Sequence, residues 1–141
     1  MISKINLFFQ TPGYKKFIPG IVWFTILLIL IILPSKSLPK PDSWMITISY
    51  DKIIHIILFG VLAFLFMYPI IKTNISSTKK WHYCIKIALV TAIWGLTTEL
   101  IQKFFVPSRS FDLTDLLADC LGGLAALLIC KWKWQYFNLT S

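Results

Sequence analysis

The sequence predicts an all-α protein, a four-helix transmembrane bundle, on three observations. Its 141 residues are 57% hydrophobic, with a mean hydropathy of +0.73. Only 14% are charged, against about a quarter in ordinary soluble domains. The apolar residues fall into four runs, and at roughly 20 residues per helical span four spans with short loops use up the chain. A soluble domain of this length leaves much surface wet and needs polar residues to cover it, so lipid is the solvent that fits. One domain over residues 1–141 is expected, with spans at about 17–34, 52–71, 84–105 and 112–130.

Lys4, Lys15 and Lys16 precede Pro19, Gly20 and an uncharged run over 21–33. That pattern resembles a signal peptide, but Pro34-Ser35-Lys36 lacks a small-x-small cleavage site, so the run is read as the first, uncleaved helix. Residues 34–50 hold Pro34, Pro39 and Pro41, which mark a loop, with a short amphipathic turn over 44–48 and Trp44 and Tyr50 suited to the interface. The second run, 53–71, is interrupted by His55 and Pro69. A polar, basic loop is expected over 72–83, then a third run from Ile85 to about Phe105 that Glu99 and Gln102 interrupt late. Pro107-Ser108-Arg109-Ser110 reads as a tight turn. The fourth run, 113–130, is interrupted early by Asp115 and Asp119 and closes on Lys131, Trp132, Lys133 and Trp134.

The net charge of +8 in a soluble protein would point to nucleic acid. Here the lysines flank apolar runs, which is a topology signal, and no nucleic-acid partner is expected. Lys4, Lys15, Lys16, Lys72, Lys79, Lys80, Lys131 and Lys133 fall on one side; the other side has Lys36, Lys40, Lys52, Lys103 and Arg109, partly offset by Asp42, Asp51 and Asp112. Both termini are therefore expected to be cytoplasmic. Cys84, Cys120 and Cys130 are odd in number, far apart and within apolar runs, which fits small buried hydrophobes rather than a redox pair or disulfide scaffold.

On this topology Asp51, Lys52, His55, Glu99, Gln102, Arg109, Asp112, Asp115 and Asp119 all lie at the outer ends of spans two, three and four. Ionisable groups in apolar segments cost about 2.5–3.5 kcal/mol each at mid-span, so they face one another or water, and these nine are expected to form one ligand-binding site. Asp112, Asp115 and Asp119 share a helix face that continues into Gly122 and Ala126, and Thr91, Gly95, Thr98, Glu99 and Gln102 form a second stripe expected to face it. Asp51 and Asp112 stand at expected helix starts, where a cap explains them as well as a site does. Glu99 and Asp119 lie beyond capping reach. His55 is either a core histidine bonded to Asp51 or Asp115 or a proton-transfer or ligand group. Arg109 either neutralises the aspartates or meets a lipid phosphate, with Lys52 assisting.

These residues resemble the signature of VanZ-like membrane proteins. The resemblance is carried by Asp51-Lys52-x-x-His55, Glu99-x-x-Gln102, Pro107-x-Arg109-x-x-Asp112-x-x-Asp115 and Gly122, and covers roughly 18–130. Two positions depart from that family's usual pattern: Ser108 replaces a Gly, and Asp119 replaces an Asn. The extra carboxylate takes up a proton, pairs with Arg109 or Lys52, or strengthens a cation site. The resemblance implies a multi-pass protein of the bacterial plasma membrane and a link to low-level teicoplanin resistance; it does not imply a reaction.

Three functions compete at this stage. The first is recognition of an envelope lipid or lipid-linked cell-wall precursor head group at the outer leaflet, without a cofactor. The second is an intramembrane hydrolase or transferase on a lipid-linked substrate, assisted by a divalent cation that the hard oxygen ligands suggest is magnesium or calcium rather than zinc, with Glu99 or His55 as general base. No Gly-x-Ser-x-Gly or His-Glu-x-x-His motif supports it. The third is an ion-coupled carrier, which four short spans without a visible inverted repeat disfavour. The oligomeric state is open.

Overall fold

The computed structural model describes residues 12–32, 44–106 and 109–139, with side chains described over 12–32, 50–106 and 109–135. The expected loop features at Pro34, Lys36, Pro39, Lys40, Pro41 and Asp42, the side chain of Trp44, Lys4, and Pro107-Ser108 of the tight turn lie outside the described residues. Four long helices make up the described chain. A 3-10 turn, Tyr14–Phe17, leads into α1 (Ile18–Ile32), followed by α2 (Trp44–Ile71), α3 (Ser77–Phe105) and α4 (Leu113–Leu139). The segments long and apolar enough to cross a membrane are Tyr14–Ile32, Tyr50–Ile71, Ser77–Phe105 and Leu113–Gln135.

The helices outrun their apolar cores. At 1.5 Å per residue the 28 residues of α2 reach about 42 Å, beyond a hydrocarbon layer of about 30 Å. Two expectations change with that. The polar loop expected over 72–83 is confined to 72–76, because Ser76 caps α3 by position and Ser77, Thr78, Lys79 and Lys80 already lie in its first turn. Polarity there marks the interface, not a break in the helix. Asp51 is seven residues into α2, so it caps nothing. The 44–48 turn is likewise the opening of α2.

The bundle is a trio with an accessory helix. Among the described residues α2, α3 and α4 all pack on one another, with α2 and α4 most intimately joined, while α1 touches α2 and α3 but not α4. The α2/α4 approach depends on glycine. A Cβ at Gly122 would collide with the carbonyl oxygen of Ile56 and lie 2.8 Å from the Gly60 nitrogen, and one at Gly60 would lie 3.2 Å from the Gly122 carbonyl oxygen. Small residues let two membrane helices meet backbone to backbone, where dispersion replaces the missing hydrophobic drive. Below this contact Ala63, Met67, Ile71, Cys84, Ala126 and Cys130 form an apolar core. Cys84 and Cys130 therefore sit as expected, whereas Cys120 is exposed on the bundle's outer face.

On the other side, α1 seats Leu27 and Ile31 against Phe59 and Leu62. The indole of Trp23 donates to the Leu58 carbonyl at 3.0 Å, and the Gly20 backbone lies against the ring of Phe66. Exposed Ile18, Ile21, Val22, Ile26 and Ile29 complete α1's outward face, the inversion a lipid solvent requires.

Candidate functional site

All the described acidic side chains come together at one end of the trio, where α2 and α4 begin and α3 finishes. Their depth follows from chain direction. Asp119 is six residues past the start of α4 and Glu99 six before the end of α3, about 9 Å along each axis, so the two meet at matching depth. Periodicity then turns them inward: Asp115, Asp119, Gly122 and Ala126 on α4 are buried, as are Thr91, Gly95, Thr98, Glu99 and Gln102 on α3. The two stripes face each other. A Cβ on Gly95 would lie 2.8 Å from Asp119 Oδ2, so this glycine makes room for the Asp119 side chain.

The contacts form two layers. In the outer one, Lys52 Nζ of α2 donates to Asp115 Oδ1 at 3.0 Å and lies 3.6 Å from Asp112 Oδ2. Asp112 is the N-cap of α4: its Oδ1 accepts the backbone N–H of Thr114 at 2.8 Å and the Thr114 hydroxyl. The Thr114 hydroxyl, then its N–H, and the nearby Lys52 charge hold the Asp112 carboxyl below the usual carboxylate range. In the inner layer His55 Nδ1 meets Asp119 Oδ1 at 2.9 Å, with the imidazole stacked at 6.3 Å on Phe59 one turn along. The Asp112 backbone N–H donates to Glu99 Oε2 at 3.0 Å, fastening the inner layer to the outer.

Burial is nearly complete in the inner layer: Asp119 is 0%, Glu99 1% and His55 8% exposed. The hydrogen bonds do not use all the available lone pairs. Glu99 Oε1, Asp119 Oδ2 and Arg109 Nε are buried without a partner. In native structures only a few groups are left so, and strain, a catalytic role, a water or an ion accounts for each; the indole nitrogens of Trp94 and Trp134 share the condition outside this cluster. Among the described residues two sets of three side chains have the spacing to share a cation, Asp51 with His55 and Asp115, and His55 with Glu99 and Asp119, ligand atoms in each lying within 4.8 Å of one another.

Several sequence expectations change here. The partner of His55 is Asp119, neither Asp51 nor Asp115. The cation that neutralises the outer aspartates is Lys52, while the Arg109 backbone N–H donates to the Val106 carbonyl. Asp119 pairs with the imidazole instead of Arg109 or Lys52. Asp112 caps α4, and its own N–H also serves Glu99. Thr91 and Thr98 donate to carbonyls of their own helix, at 2.9 and 2.7 Å, so the α3 stripe does not extend the polar network inward.

Sequence reasoning passed over Thr114 and Gly60. Thr114 had a signal, since Asp-x-Thr at a helix start is a capping pattern. Gly60, as the sole glycine of its apolar run, was a candidate for close backbone approach. The Asp112 N–H has no sequence signal, being a backbone group. A separate cavity of about 490 Å³ lies between α1, α2 and α3, lined by Phe24, Leu62, Phe66, Ile87 and Trp94 with Lys86 at its edge, and its walls are almost wholly apolar.

The chain matches the VanZ/LLP1 family model over residues 4–134 and belongs to that family. No curated protein and no solved structure gives a match.

Proposed function

We propose that this VanZ/LLP1-family protein recognises the head group of an envelope lipid or lipid-linked cell-wall precursor at the outer leaflet of the bacterial plasma membrane. The binding site is the polar cluster of Asp51, Lys52, His55, Glu99, Gln102, Arg109, Asp112, Asp115 and Asp119. One observation carries the reading: Glu99 Oε1 and Asp119 Oδ2 are buried without a partner in the inner layer, and Arg109 Nε, in the turn that leads into α4, is likewise buried without one. A buried unmet polar group costs about 1–3 kcal/mol, more if charged, and a head group with phosphate and amine functions offsets that cost on both sides.

Lys52 is committed to Asp115 and Asp112, so phosphate recognition falls to Arg109 and the carboxylates serve amine or hydroxyl donors. The outer placement rests on Lys72, Lys79, Lys80, Lys131 and Lys133, which the helix directions gather at the opposite end. A link to teicoplanin resistance belongs to the same proposal, as a consequence of engaging a precursor outside the membrane.

The test is native mass spectrometry of protein extracted with its lipids. Wild type is expected to retain a defined lipid adduct, and Arg109→Ala with Asp119→Asn to lose it by about tenfold or more, the equivalent of one charge-assisted hydrogen bond. Equal retention by the double variant rejects the proposal.

A further inference from the structure

We infer that His55, Glu99 and Asp119 form a binding site for one divalent transition-metal ion, of the zinc or manganese type. The inference deepens the head-group reading, since it concerns the floor of the same cluster, but its test needs no lipid.

The three side chains come from three different helices and converge where they are most buried. Their ligand atoms lie within 4.8 Å of one another, and an ion with ligands at about 2.0–2.2 Å is reached from that spacing by small side-chain rotations. Convergence of acids alone would not be enough. The independent sign is that Glu99 Oε1 and Asp119 Oδ2, on residues 1% and 0% exposed, have no hydrogen-bond partner. Two carboxylates are thus held in an apolar bundle with lone pairs that no donor meets, and Lys52 of the outer layer is engaged by Asp115.

The orphaned oxygens also decide between the two candidate sets. Asp51, His55 and Asp115 share the imidazole, but Asp115 already holds Lys52 at 3.0 Å, and neither Asp51 nor Asp115 has a buried unpartnered oxygen. The inner set has capacity to spare. It also has the outer supports that metal ligands require. The Asp112 N–H fixes Glu99 through Oε2, Phe59 stacks on the imidazole, and Gly95 leaves room for Asp119. One imidazole with two carboxylates suits zinc or manganese better than calcium, which takes six to eight oxygens. Three protein ligands leave a coordination position open, and a head-group oxygen can take it.

The test is metal binding by the full chain in detergent, stripped with chelator and titrated with Zn²⁺ and, separately, Mn²⁺. The expected result is one ion per chain with at least one of them, together with a rise in melting temperature on addition. Glu99→Gln and Asp119→Asn, which keep side-chain shape, are each expected to weaken binding by about tenfold or more. Thr97→Val, on the exposed face of α3 and outside the cluster, is expected to bind like wild type. Failure of wild type to bind either ion overturns the proposal, and so does unchanged affinity in both Glu99→Gln and Asp119→Asn. Loss of binding in Asp51→Asn with retention in Glu99→Gln overturns it in favour of the outer set. Should either isosteric variant fail to fold, the stoichiometry and metal-dependent melting shift of wild type decide alone. If the metal binds and the lipid adduct is absent, the head-group reading fails while this one stands.

Discussion

The two ends of the bundle both carry charge, but they hold it differently. At the acidic end the buried charged groups are bound within the bundle, Lys52 to Asp115, His55 to Asp119, Glu99 to a backbone N–H, while Lys103 stays outside over the ring of Phe104 at 5.4 Å. At the basic end lysines lie over aromatic rings, Lys131 over Trp81 at 5.2 Å, Lys72 over Tyr68 at 5.6 Å, and Lys133 over Phe64 and Tyr68 at 5.7 and 5.8 Å. Lys80 alone among them is buried, 5.8 Å from the ring of Trp134. Cation and ring at a membrane surface need only approximate geometry and tolerate sliding, which suits an anchor. Directed hydrogen bonds between three helices fix side chains to within fractions of an ångström, which suits recognition. Charge near a membrane is drawn into a buried network where the backbones bring it inward, and here Gly60 and Gly122 let α2 and α4 approach.

Breaking the acidic end should start with that backbone contact. Gly122→Leu drives a side chain into the Ile56 carbonyl and the Gly60 nitrogen, neither of which can rotate away, and is expected to cost at least the upper part of the usual overpacking range of about 1–3 kcal/mol. Thermal unfolding in detergent measures this, and an unchanged melting temperature would mean the two backbones are not in contact. Next, His55→Ala or Asp119→Ala removes half of a buried pair and is expected to cost about 1–3 kcal/mol. A double-mutant cycle should find a coupling of about 0.5–3 kcal/mol between His55 and Asp119 and little between Lys133 and Tyr68. Equal couplings at the two ends would erase the distinction between them.

Smaller effects come from the cap. Asp112→Ala is expected to cost about 0.5–2 kcal/mol through the lost Thr114 bonds. Asp112→Asn keeps a cap but removes the charge, and so isolates the ionisation. The folded state holds the Asp112 carboxyl below its ordinary value, so ionisation adds stability above the unfolded value near 4, and that contribution is lost as pH falls through the folded value. The melting temperatures of wild type and Asp112→Asn should therefore differ at neutral pH and converge below about pH 4. A gap independent of pH would refute the assignment. The smallest change is expected at the basic end, where Lys133→Ala should shift stability by no more than about 0.5–1 kcal/mol.

Much of this arrangement is legible in the sequence because membrane helices obey few rules. Apolar run length identifies the four helices, and the penalty on intramembrane charge puts Glu99, Asp115 and Asp119 on inward faces. Pairing is not legible, because an α-helical face specifies a direction and not a partner. His55 has three aspartates within reach of its face, and only the relative height of α2 and α4, set by Gly60 and Gly122, selects Asp119. Lys52 takes the place expected for Arg109 for the same reason. Helix ends are read poorly at 51 and 77–83, since polar residues that stop a soluble helix merely mark where a membrane helix leaves the hydrocarbon.

The partners of Lys52, His55 and Glu99 have one origin: Asp115, Asp119 and the Asp112 N–H all belong to the last helix or its cap. During synthesis the first three helices therefore carry an ammonium, an imidazole and a carboxylate whose mates have not yet been made. Those three groups meet their partners only when α4 joins the bundle.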